Sequence, residues 1–155
     1  MTIRRTRLDL TANEPLTTIA EAGAAAFGYT AELTVDGEVA QLVRLRVAQI
    51  NNCTYCLDVH HTAARRAGIA QAKIDMLTAW WETRLFTDAE RAALTYAEAL
   101  TRASDTSVMQ SFQRYHDELA EHFDEAAMRE IVGVVINMNI WTRLKLAEGA
   151  MPEFP

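Results

Sequence analysis

Apolar residues recur every three or four positions through most of the chain. That period marks helices with one buried face. From about Asp36 to Ile50 the stripe is Val39, Leu42, Val43, Val47 and Ile50, with Arg44 projecting elsewhere and Arg46 close to the stripe. Upstream, the alanine-rich run Thr17 to Phe27 predicts a helix opened by Pro15 and stopped by Gly28. Asp36 suits an N-cap, because its carboxylate accepts from the first free backbone N–H groups. Asn51-Asn52 reads as a break, since asparagine tolerates a left-handed turn. The next helix starts at or near Cys53 and runs to Ala67, with Gly68 as its stop.

Beyond Gly68, Ile69 to Trp81 predicts a helix with Ile74, Leu77 and Trp80 facing inward. Thr87 and Glu90 form a capping box for a helix from Asp88 to about Arg102, burying Leu94, Ala97 and Leu100. Ser104 or Asp105 caps a helix over Ser107 to Ala120. Asp124 caps the last helix, with Phe123 stapled onto Met128; it runs to about Glu148 and is apolar on most sides of its middle third. Residues 1–15 look irregular, and Leu33-Thr34-Val35 is the one short extended piece. These signals predict an all-α bundle of about seven helices, a single domain over residues 1–155 with its core at about 36–146.

Composition narrows the functional classes. The 155 residues are 50% hydrophobic and 23% charged, within the globular range. A net charge of −6 and a pI near 5.2 leave no basic field for nucleic acid or an anionic membrane. No apolar run reaches bilayer length. The N-terminus is basic, but Asp9, Asn13 and Glu14 follow where a leader needs an apolar stretch, so no signal peptide is read and a cytoplasmic protein is expected.

The chemistry lies in Asn51 to His61. Both cysteines of the chain are there, Cys53 and Cys56, at C-x-x-C spacing, with His60 four residues after the second. At 3.6 residues per turn, Cys53, Cys56 and His60 share one helical face. Two thiols and an imidazole on one stripe support redox chemistry, bind a metal, or form an inert buried pair. Zinc lacks a fourth ligand nearby: His61 points about 100° away, and no second C-x-x-C or H-x₃₋₅-H follows. Haem attachment is excluded, because Leu57 stands where C-x-x-C-H needs histidine. Spacing alone does not say which thiol attacks. The helix N-terminus favours Cys53 as the more ionised; nearness to His60 favours Cys56.

Gln41 through His60 resembles the core of the alkylhydroperoxidase D-like proteins of the carboxymuconolactone decarboxylase superfamily. The similarity continues through Ala79-Trp80-Trp81-Glu82, Phe86 to Leu94 and Ile136 to Leu144. The resemblance implies a helical fold assembled as a homotrimer or homohexamer. It implies thiol-dependent reduction of hydroperoxides with no metal, haem or flavin cofactor. By it, Cys56 is the peroxidatic thiol, Cys53 the resolving thiol and His60 the proton-relay histidine. The reductant implied is an external dithiol, lipoyl-bearing or thioredoxin-like. Superfamily members that decarboxylate a muconolactone typically lack the cysteine pair, which speaks against that reaction here.

Two positions depart from the pattern. Gln41, twelve residues before Cys53, stands where the family's peroxidase often has a glutamate. An amide cannot take a proton at neutral pH, so Gln41 orients a water or His60 but is not a base. Glu38, one turn earlier, is the substitute carboxylate if the helix end bends inward. Tyr55 stands where the best-known branch has a histidine; its phenol donates a hydrogen bond but is a poor base. Rival readings of the same face are a disulfide reductase, a redox sensor without turnover and a metal-binding module. Asn137 and Asn139 interrupt the last helix and read as satisfied buried amides. Trp80, Trp81 and Trp141 read as core or interface packing, and His116 and His122 as surface residues.

Overall fold

The computed structural model describes residues 7–153. The basic residues before Arg7, part of the leader reading, lie outside them. Among the described residues eight α-helices follow one another: α1 Glu14–Phe27, α2 Gly37–Ile50, α3 Thr54–Arg66, α4 Gln71–Met76, α5 Asp88–Thr101, α6 Thr106–Met109, α7 Phe112–Ala120 and α8 Glu125–Glu148. A 3-10 helix, Leu77–Glu82, continues α4. Among the described residues there is no strand. The all-α expectation holds.

Three N-caps are those the sequence announces. Asp36 accepts from the Glu38 and Val39 amides, and Asp124 from Ala127. Asp105, rather than Ser104, caps α6, and Thr87 and Glu90 complete their capping box. Asn13 caps α1, so Pro15 sits one place inside the first helical residue. Asn52 and Gly68 take the left-handed conformation at the two ends of α3. Leu33-Thr34-Val35 is not a strand: the Thr34 and Val35 amides donate to the Glu130 carboxylate of α8 at 2.8–3.0 Å.

Two expected helices are each broken. Ile69 to Trp81 divides into α4 and the 3-10 turn, with Ala79 out of helical conformation. The break lets Ile74, Leu77 and Trp80 all be buried, and puts the indole N–H of Trp80 2.7 Å from Glu98 Oε1. The run Ser107 to Ala120 divides at Gln110 and Ser111 into α6 and α7.

Helix α2 is the axis of the molecule and packs against α3, α5 and α8. Ten consecutive residues, Val39 to Ala48, are buried, so α2 has no solvent face over that span. This corrects the expectation for Arg44, which does not project out of the core. Arg46 has the same problem and solves it with a carboxylate, its Nε lying 2.6 Å from Glu98 Oε1. Arg44 solves it with backbone carbonyls, described below. Among the described residues no helix is long and apolar enough to cross a membrane.

Candidate active site

The two cysteines are placed by the turn between α2 and α3. Asn52 turns the chain at φ 52°, and Cys53 follows with extended backbone as the N-cap of α3. Its Sγ accepts the Cys56 N–H at 3.3 Å, the role a serine or aspartate oxygen fills in most caps. Cys53 and Cys56 are joined as a disulfide with Cα atoms 5.2 Å apart. Both are buried, in contact with the core that α2, α5 and α8 share.

His60 lies one turn beyond Cys56 on the same face of α3 and is 6% exposed. Gln41, on α2, is buried against it. The Gln41 side-chain nitrogen is 3.3 Å from His60 Nδ1 and 3.0 Å from the His60 carbonyl oxygen. Behind Gln41 stands Arg44, whose Nη1 is 3.5 Å from Gln41 Oε1. Arg44 donates Nε and Nη2 to the Phe27 carbonyl and Nη2 to the Gly28 carbonyl, at 2.9–3.3 Å. With no carboxylate on this guanidinium, burial pushes its pKa down to about 10. Burial, with the Arg44 charge added, pushes the His60 imidazolium down to about 3. His60 is a neutral ring at physiological pH.

Cys56 and His60 open into a cavity of about 460 Å³ between α1, α3 and α8. Tyr29, Tyr55 and Trp141 are the large side chains of its walls. Tyr29 presents its ring edge-on to His60, centroids 5.9 Å apart. Tyr55 and Trp141 flank the Lys145 ammonium, which lies 5.2 and 5.5 Å from their ring centroids and 2.8 Å from Glu148. Asn137 also lines the cavity, and its Oδ1 is buried without a hydrogen-bond partner. Asn139, by contrast, is satisfied by Asn51, Thr101 and the Val135 carbonyl. Asn139 thus finds the protein partners expected of a satisfied amide, and Asn137 Oδ1 finds none among protein atoms.

The structure brings Cys53, Cys56, His60 and Gln41 together, with Tyr55 on the cavity wall. Glu38 is not their carboxylate: it is held by Lys73 at 2.6 Å, together with Glu90. Trp80 is core, Trp81 is exposed, and Trp141 belongs to the cavity. His116 and His122 are exposed. Among the described residues no group of three or more His, Cys, Asp and Glu side chains could hold a metal ion. Sequence reasoning missed Arg44, Tyr29 and Lys145. For Arg44 a signal existed: a cation three residues after Gln41, one turn along the same helix.

A bonded C-x-x-C pair with one sulfur's residue on a cavity wall and a neutral histidine beside it fits a redox role. Comparison with known proteins agrees on the family. The model of the carboxymuconolactone decarboxylase family matches residues 16–99. The uncharacterized protein YdfG of Bacillus subtilis (strain 168) is 31% identical over 121 residues, 78% of this chain and 80% of that protein. A solved protein of unknown function from Agrobacterium tumefaciens, proposed as the antioxidant defence protein AhpD, superposes with a TM-score of 0.85. It is 22% identical, with 97% of this chain and 99% of that one covered. The debrominase Bmp8 superposes with a TM-score of 0.69 at 21% identity, covering 99% and 94%. At these identities the two solved structures show likeness of fold. The chain belongs to the carboxymuconolactone decarboxylase family, and its fold is that of the AhpD-like proteins.

Proposed function

We propose that this protein is a thiol-dependent hydroperoxidase in which Cys56 meets the peroxide. The observation that carries the reading is the cavity: Cys56 and His60 line it, while Cys53 lies behind, bonded to Cys56. In the reduced enzyme the Cys56 thiolate attacks the distal oxygen of a hydroperoxide. The S–O bond forms, the O–O bond breaks, and the electron pair leaves on the alkoxide, which takes a proton from water. The Cys53 thiol then attacks the Cys56 sulfenic acid; the S–S bond forms and water leaves with the Cys53 proton. An external dithiol, lipoyl-bearing or thioredoxin-like, returns the pair to thiols by two exchanges. Tyr55 and Trp141 suit a peroxide with an apolar body, and no metal, haem or flavin enters the cycle.

The same two electrons serve a second reading. The aromatic cavity suits a small halogenated ring, and the debrominase that shares the fold has been solved, as a cysteine-to-alanine variant, with 2,3,4-tribromopyrrole.

Steady-state turnover with an organic hydroperoxide and a dithiol tests the proposal. Turnover must disappear in both Cys56→Ser and Cys53→Ser. Turnover in neither the native protein nor with any dithiol rejects it, and turnover of a bromopyrrole alone selects the second reading.

A further inference from the structure

We propose that Arg44, acting through Gln41, fixes the tautomer of His60: the neutral ring carries its proton on Nε2, and so offers the cavity a hydrogen-bond donor instead of a base. The tautomer stands on geometry alone; its consequence for turnover rests on the peroxidase reading.

An amide side chain can be turned end for end, so its orientation must be argued from its partners. Gln41 has acceptors on one side and a donor on the other. The His60 carbonyl, 3.0 Å from the side-chain nitrogen, can only accept. Turned round, Gln41 would set its own oxygen against that carbonyl. Arg44 holds donors only, and it faces Gln41 Oε1. Turned round, the NH₂ group would meet the guanidinium. Arg44 cannot swing away to allow this, because the Phe27 and Gly28 carbonyls at the end of α1 hold it from the other side.

With the amide so fixed, an N–H group faces His60 Nδ1 at 3.3 Å. Nδ1 must then present its lone pair. A neutral imidazole has one ring proton, which therefore sits on Nε2. The charged groups around the ring do not favour a second proton: Arg44 is cationic behind it, and Lys145, paired with Glu148, lies across the cavity. A carboxylate at position 41 would do the opposite. It would accept from Nδ1–H, leave Nε2 as a lone pair, and make His60 a base for Cys56.

Gln41 and Arg44 are thus positioning residues, acting on the reacting atoms only through His60. An Nε2–H donor stabilises negative charge, first on the Cys56 thiolate and then on the departing alkoxide. The thiol proton leaves to water rather than to the imidazole.

Side-chain ¹⁵N NMR of the reduced wild-type protein reads the tautomer directly, with His60 assigned by its loss in His60→Gln. The expected result is an unprotonated Nδ1 and a protonated Nε2, unchanged from about pH 5 to about pH 9. Gln41→Glu is expected to exchange the two nitrogens' roles, and Arg44→Met to give a mixture. A protonated Nδ1 in the wild type overturns the inference, as does the same tautomer in wild type and a folded Gln41→Glu. Because none of these spectra needs a substrate, loss of the peroxidase reading leaves this test intact.

Discussion

Phe27 lies with its ring edge over the Cα of Gly133, so closely that a Cβ at 133 would fall well inside 3.0 Å of three ring atoms. The same residue's carbonyl accepts from Arg44 at 3.0 Å. The contact between α1 and α8 is therefore also what holds the guanidinium behind Gln41. Gly133→Ala is expected to push Phe27 outward and cost about 1–3 kcal/mol, as overpacked cores do. The midpoint of thermal unfolding should fall accordingly, and the two His60 tautomers should mix. Gly37→Ala is the control: nothing stands within 4 Å of its Cβ, and its midpoint should hold or rise slightly. Equal behaviour of the two variants would refute the coupling.

Glu98 separates stability from chemistry. Its Oε1 takes hydrogen bonds from Arg46 at 2.6 Å and from the Trp80 indole at 2.7 Å, and the Arg46 side chain is 7% exposed. Glu98→Ala leaves that charge buried without a carboxylate, with only the Gln49 amide oxygen still accepting from it, at a cost of about 3 kcal/mol. Glu125→Ala breaks the exposed pair with Arg129 and should change stability by less than about 0.5 kcal/mol. Urea midpoints of the two variants measure the contrast. Since neither residue lines the cavity, folded protein of both should turn over peroxide at the wild-type rate.

Most of the helical frame was legible because it is written in local signals. The stripe of α2, the caps at Asp36, Thr87 and Asp124, and the turn at Asn51-Asn52 each depend on a few neighbouring residues. The two broken helices were not legible. No glycine or proline marks Ala79 or Ser111, and the break at Ala79 follows from Trp80 reaching Glu98 on a distant helix. At the site, the C-x-x-C spacing and His60 carried the reading, and Gln41 was found through a resemblance. Arg44 was misplaced because a two-sided helix leaves an off-stripe arginine free, whereas α2 is buried all round. Lys145 and Asn137 belong to the cavity only because α8 crosses α3, which no local pattern announces.

Burial of neutral His60 makes stability depend on pH with a definite sign. Its pKa is pushed down to about 3, from 6.5 in the unfolded chain, by burial first and by Arg44 second. Between those values the unfolded chain binds a proton that the native protein refuses. Stability is therefore complete above about pH 6.5 and falls as pH drops toward 3, by about 1.4 kcal/mol per pH unit. Carboxylates add their own acid slope, so the test is a difference. Urea midpoints at pH 7, 6 and 5 should decline more steeply for wild type than for His60→Phe. Parallel slopes would remove the buried neutral imidazole.

Asn137 is where stability and function should pull apart. Its Oδ1 is buried with no protein partner, and Gly23 makes room for it: a Cβ at 23 would lie 2.8 Å from that oxygen. An unsatisfied buried acceptor costs about 1–3 kcal/mol, and an apolar side chain of the same shape does not carry that cost. Asn137→Leu is therefore expected to raise the unfolding midpoint by a few degrees, at about 2–4 °C per kcal/mol for a chain of this size. The amide lines the same cavity as Cys56 and His60, so under the proposed peroxidase activity it is placed to hydrogen-bond the hydroperoxide or the alcohol it becomes. The variant should lose turnover, about tenfold for one hydrogen bond of about 1.4 kcal/mol made in the transition state. Gly23→Ala displaces the amide without removing it, and should lower both stability and turnover. A rise in stability with turnover unchanged in Asn137→Leu would make Asn137 a packing residue only. A fall in stability would mean that its oxygen is satisfied in solution, by a water bound in the cavity.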